Sequence, residues 1–155
     1  MPTQTLAARL AEYAAGLTFD KLTKEAVHEV KRRFIDSFAT AVGAMPAEAY
    51  EIAKTCALRV SSDPGASILG GGRSSVEWAT FVNGLLIRYL DFNDTYLSKE
   101  PAHPGDNLAA VLSVGEAVGA GGKELITAAV QYGRLWSAVS RVRGSHASLY
   151  LPMML

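Results

Sequence analysis

The residues best able to do chemistry lie together, in the run Arg88-Tyr89-Leu90-Asp91-Phe92-Asn93-Asp94-Thr95-Tyr96-Leu97-Ser98-Lys99-Glu100-Pro101-Ala102-His103-Pro104-Gly105-Asp106-Asn107. It gathers carboxylates, hydroxyls, an imidazole and the cations Arg88 and Lys99 between two apolar segments. If the preceding helix continues one turn past Leu90, Asp91 and Thr95 form an i, i+4 pair, and a carboxylate and a hydroxyl converge on one side. His103 precedes Pro104, which disfavours the helical region for the histidine backbone and presents the imidazole from an extended, constrained loop. The next helix should start near Asp106 or Asn107, where free backbone N–H groups are a natural dock for a carboxylate, provided Asp106 turns aside to cap. The set suits acid/base work. Asp91, Asp94 and His103 are also the donor types of a hard-metal site, without a strict spacing such as His-Glu-x-x-His. Plain turn and cap duty for Asp91, Asn93 and Asp94 is the third reading.

Helices must position these groups. Thr23 is a good N-cap, and from it Val27, Val30, Phe34, Phe38, Ala41 and Val42 recur every three or four positions, with Lys24, Glu25, Glu29 and Lys31 between them. Leu6 to Ala15 reads as a short amphipathic helix stopped at Gly16, with Leu6, Leu10, Tyr13 and Ala14 on one face. Ala47 to Val60 reads as a third, followed by the turn Ser61-Ser62-Asp63-Pro64-Gly65. Ala66 to Leu69 is a short extended piece. The Gly70-Gly71-Gly72 that follows lacks phosphate-loop spacing and reads as a flexible turn. Ser74 and Glu77 fit a capping box for a helix whose apolar stripe, Trp78, Val82, Leu85, Leu86 and Tyr89, runs into Leu90. Beyond the polar run, a helix of small residues (Ala109, Ala110, Ser113, Gly115, Ala117) ends at Gly119-Ala120-Gly121-Gly122, and Lys123 to Tyr132 forms a last one with Leu125, Ile126, Ala129 and Val130 inward. The predicted fold class is all-α, a helical bundle.

The bulk numbers exclude several function classes. With 155 residues the chain is one domain in size, and 15 basic against 15 acidic residues leave no net charge to attract nucleic acid or an anionic membrane. No uninterrupted apolar stretch approaches the roughly 20 residues of a membrane span. Met1-Pro2-Thr3-Gln4-Thr5 has neither the basic nor the apolar region of a signal peptide, so a cytoplasmic location is expected. Cys56 is the single cysteine, which leaves no internal disulfide and no cysteine-built metal site, and its helical surroundings make it a packed thiol. His28 reads as a solvated face residue. No metal and no cofactor is expected.

The run Leu90-Asp91-Phe92-Asn93-Asp94-Thr95-Tyr96-Leu97, followed by Glu100-Pro101-Ala102-His103-Pro104, resembles the characteristic region of the MmgE/PrpD family. Similarity extends in the same order through Leu10-Ala11-Glu12-Tyr13, Lys31-Arg32-Arg33, Leu69-Gly70-Gly71-Gly72, Phe81-Val82-Asn83-Gly84 and Gly115-Glu116-Ala117. The resemblance implies part of that family's N-terminal helical domain. It further implies a hydro-lyase of the 2-methylcitrate dehydratase kind, which turns 2-methylcitrate into 2-methyl-cis-aconitate in propionate catabolism without an iron–sulfur cluster. Its active-site positions carry onto Asp91, Thr95 and His103. Loss of water needs one group to take a carbon-bound proton and another to protonate the leaving hydroxide. That gives His103 as general acid/base, Asp91 as its partner or the second acid/base, and Thr95 as hydrogen-bond donor to a carboxylate. Arg88, Lys99 and Asn107 are the expected contacts to the small tricarboxylate substrate.

Members of the family continue well past this length. After Tyr132 the pattern is lost, and Arg143-Gly144-Ser145-His146 leaves open whether His146 matches the family's second catalytic His or nothing. The expected division is an incomplete helical domain over 1–132 and a divergent tail over 133–155, as a shifted or prematurely ended frame would give. Two classes follow: the hydro-lyase, or a catalytically inactive truncated remnant acting at most as a helical self-association module. A homodimer or other self-association is expected, because Leu125, Ile126 and Val130 would lack neighbours.

Overall fold

The computed structural model describes residues 4–97 and 102–142, with side chains described as far as residue 133. Its elements are α1 (Leu6–Gly16), α2 (Lys24–Ala44), α3 (Glu48–Ala57), β1 (Ala66–Ser67), β2 (Arg73–Ser74), α4 (Val76–Arg88), α5 (Leu108–Ala117) and α6 (Gly122–Val142), with 3-10 turns at Phe19–Lys21 and Pro104–Asn107. The fold is all-α apart from the two-residue strands. Caps set the helix starts: Thr5 accepts from the Ala8 N–H and Thr23 from the Ala26 N–H, each at 3.2 Å. The start of α4 departs from the capping-box expectation. Ser75, not Ser74, is the N-cap, accepting from the Trp78 N–H at 3.4 Å. Ser74 is held in β2 opposite Ala66, and its hydroxyl donates to the Ala57 and Val60 carbonyls at 2.6 and 3.0 Å, closing the end of α3.

Helix α4 is the centre of the bundle, packed against α2, α3 and α5. Its Ala79, Val82, Leu86 and Ile87 are fully buried and meet Ala41 and Ala44 of α2, Tyr50, Ala53 and Ala57 of α3, and Ala109 of α5. Small residues on the neighbours let the backbones approach while α4 supplies the bulk, the alternation that fills a core without voids. This seam also explains a departure on α2. The residues it buries are Ser37, Thr40, Ala41 and Ala44. Of the expected apolar stripe, Val27, Val30 and Phe34 are half-buried, whereas Phe38 and Val42 face out, as does Ile35 at 70% exposure.

The triple glycine joins β1 to β2, and Gly70, Gly71 and Gly72 all take positive φ (87°, 109° and 100°), a conformation costly for any residue with a Cβ. Buried Asn83 of α4 pins this hairpin, accepting from the Leu69 N–H at 2.8 Å and donating to the Ser67 carbonyl at 3.0 Å. Tyr50 donates to the Leu69 carbonyl at 2.7 Å. Helix α6 runs past the expected stop at Tyr132 to Val142; Gly133 does not break it. Its Leu125, Ile126 and Val130 are half-buried, and Gln131 donates to the Ala14 carbonyl of α1. Among the described residues no helix is long and apolar enough to cross a membrane.

Candidate active site

The polar run leaves the bundle where α4 stops. Arg88 is the last helical residue, Tyr89 the C-cap, and Asp91 takes φ 55°, the left-handed conformation that Asp tolerates better than most residues. The helix therefore does not extend past Leu90, and Asp91 and Thr95 are not a helical i, i+4 pair. A different device shapes the loop. Tyr96 and Ala102 form an antiparallel bridge, N–H to carbonyl at 2.7 and 3.0 Å in the two directions, which sets Thr95 beside His103.

His103 is extended (φ −112°, ψ 95°), as expected of a residue before proline, and half-buried. Its Nδ1 lies 2.8 Å from the backbone carbonyl of Asp94, with the Thr95 hydroxyl at 3.5 Å from the same nitrogen. The Asp94 carboxylate, 7% exposed, is ion-paired with Arg33 of α2 and accepts from the Gly105 N–H at 2.8 Å. Gly105 is required here: a Cβ would come within 2.6 Å of Asp94 Oδ1 and 2.9 Å of Ser37 Oγ. The buried Ser37 hydroxyl has no hydrogen-bond partner among the described residues.

A second cluster centres on Arg88. It pairs with Asp91, donates to Asn93 Oδ1 at 3.0 Å, and sits 3.7 Å from Asp106 Oδ1. Buried Asn93 passes the tie on, donating to Asp106 at 2.8 Å. The hydrogen bond from Arg88, and then its charge, hold the Asp91 carboxyl below its ordinary range. Burial pushes Asp106 the other way, partly offset by the charges of Arg88 and His103 and the Asn93 hydrogen bond. Burial also raises the Tyr132 phenol, to which Asp106 adds by charge repulsion. Asp106 thus neither caps a helix nor turns outward; it faces Arg88 and Asn93.

Of the expected site residues, Thr95 and His103 are side by side and Asp91 and Arg88 are paired. Asn107 closes the 3-10 turn, donating to the Pro104 carbonyl at 3.4 Å, and Lys99 lies outside the described residues, as does His146. Asp91, Asp94 and His103 do not converge as ligands: among the described residues no group of three or more His, Cys, Asp or Glu side chains could hold a metal ion. The sequence reading missed Arg33 and the structural duty of Asp94. What the arrangement offers chemically is an imidazole anchored at one nitrogen, a neighbouring hydroxyl, an exposed carboxylate, and a guanidinium shared between two carboxylates.

Comparison with known proteins adds the lineage. The profile of the MmgE/PrpD N-terminal domain matches residues 8–131. The 2-methylcitrate dehydratase of Salmonella typhimurium is 50% identical over 38 residues, 24% of this chain and 8% of its own length, and that of Escherichia coli K12 matches to the same extent. An alkylcitrate dehydratase of a fungal species, phiI, is 49% identical over 59 residues, 33% of this chain and 12% of its own. The matched stretches are thus a small part of the relatives' length.

Proposed function

Because the chain belongs to the MmgE/PrpD family through that family's N-terminal domain, we propose that it serves a hydro-lyase of the 2-methylcitrate dehydratase type, acting on a hydroxy-tricarboxylate. The observation that carries this reading is the anchored His103 beside Thr95, in a run like that of the 2-methylcitrate dehydratases. In the reaction a carbon-bound proton passes to a base. Its electron pair forms the double bond, and the carbon–oxygen bond breaks as an acid protonates the leaving hydroxide to water. His103 is one acid/base group and Asp91 its partner or the second. Thr95 donates to a substrate carboxylate. Arg88 can hold a second carboxylate if that anion displaces Asp91, the more exposed of its two acidic partners. Lys99 and Asn107 complete the proposed contacts. Propionate catabolism in the cytoplasm is the setting this activity fits.

A second reading is favoured by the outward Ile35, Phe38 and Val42 of α2: an inactive helical module that associates with itself. The domain division proposed with either reading is 1–132 and 133–155. Dehydration of 2-methylcitrate, followed by the absorbance of the unsaturated product beside a His103→Ala control, tests the first reading. Turnover lost in the control supports it; no turnover from folded chain supports the module.

A further inference from the structure

We propose that Arg33 is a positioning residue for His103: acting through Asp94, it fixes the imidazole as the tautomer protonated at Nδ1 and leaves Nε2 to accept and return protons. The contacts form a continuous chain. Glu29, one turn earlier on α2, holds Arg33 Nε at 2.9 Å, and the Arg33 guanidinium meets Asp94. The other oxygen of Asp94 takes the Gly105 N–H, so one buried carboxylate ties together Asp94 and Gly105, on either side of His103 in the loop.

The main-chain carbonyl of that same Asp94 is what Nδ1 meets at 2.8 Å. A carbonyl oxygen only accepts, so Nδ1 carries the hydrogen; a neutral imidazole has one, and Nε2 therefore holds the lone pair. The Thr95 hydroxyl finds no acceptor on Nδ1 and keeps its own hydrogen for another partner. Removing the Arg33 charge frees Asp94 from α2, loosens the carbonyl, and lets the ring choose its tautomer.

The catalytic meaning rests on the acid/base reading of His103, whereas the tautomer depends only on these contacts. The test is the imidazole proton–nitrogen correlation spectrum of 15N-labelled chain at about pH 9, where histidine is ordinarily neutral. The His103 signals are assigned by their loss in His103→Gln. We expect the Nδ1-protonated form to dominate on the order of tenfold, the worth of one well-made hydrogen bond. Arg33→Gln and Asp94→Asn, with helical circular dichroism intact, should bring the two tautomers near parity, and Arg33→Lys, which keeps the charge, should retain most of the preference. A wild-type ring protonated at Nε2 overturns the proposal, as does an unchanged preference in whichever of Arg33→Gln and Asp94→Asn folds. A folded Arg33→Lys that loses the preference as fully as Arg33→Gln also counts against it. A chain that fails to dehydrate 2-methylcitrate yet keeps the Nδ1 signal removes the reaction and leaves the positioning.

Discussion

The hairpin around Gly70–Gly72 and the polar segments 89–97 and 102–107 are both seated on the bundle, yet opposite chemistry holds them. The hairpin is pinned from beneath by neutral groups: Asn83, Tyr50 and Ser74 make hydrogen bonds to backbone and carry no charge. Its charged contacts, Lys54 to the Gly70 carbonyl and Glu116 to Ser67 and Arg73, lie at the exposed edge. The loop is the reverse. Its deepest anchor is the Asp94 carboxylate on Arg33, and its second is Arg88 between Asp91 and Asp106. Neutral anchors fix a shape at low electrostatic cost. Charged anchors also build a field, which an acid/base site needs and a structural hairpin does not.

The contrast can be broken in order of size. Asn83→Ala should cost the fold about 2–3 kcal/mol, because it strands the Leu69 N–H and the Ser67 carbonyl, and the loss should be the same in low and high salt. Urea titrations at two ionic strengths check both points. Asp94→Ala should cost about 2 kcal/mol, below the full cost of breaking a buried pair because Arg33 remains 27% exposed. Unlike the hairpin loss, it should shrink as added salt shortens the screening length. Equal salt responses of the two variants would erase the contrast. Gly105→Ala should cost about 1–2 kcal/mol as the added methyl drives into Asp94 and Ser37. Its amide should lose the protection from hydrogen exchange that Asp94 gives, while hairpin amides stay protected.

The smallest effect concerns pH, where Asp106 of the loop and Glu116 beside the hairpin should move in opposite directions. Asp106 titrates high in the folded chain, so its contribution is full below the ordinary aspartate value of about 3.9 and is lost as pH rises through the raised value. Asp106→Asn should therefore gain on the wild type as pH rises above about 4. Glu116 is held low, chiefly by the Ser67 backbone N–H, so its contribution is present above the ordinary glutamate value of about 4.3 and is lost as pH falls. Glu116→Gln should lose stability at neutral pH and converge with the wild type in acid. Denaturation from pH 3 to 7 separates the two signs.

The parts legible in the sequence are those fixed locally. Thr23 announces α2, the Gly70–Gly72 run announces a turn, and Pro104 sets the extended backbone of His103. The exposed face of α2 was not legible from period alone, since a seam of Ser37, Thr40, Ala41 and Ala44 outcompetes larger residues where two backbones come close. Adjacent serines hid the cap of α4, decided by strand pairing that draws Ser74 away. Asp91 and Asp94 look alike in the run, and only contact with α2 separates the exposed one from the buried one. Arg33 stands 61 residues from Asp94, so no local pattern links them. Its one trace was its place in Lys31-Arg32-Arg33, one of the runs that carry the resemblance to the family.

On the proposed function, the loop between α4 and α5 is the substrate side of the domain and the hairpin is structural. Titrating 15N-labelled chain with 2-methylcitrate and following each backbone amide tests it most directly. Shifts at Arg88, Asp91, Thr95, His103 and Asn107, with residues 66–74 unmoved, are the predicted result. Shifts centred on the hairpin, or none at any concentration up to the millimolar range, would contradict it.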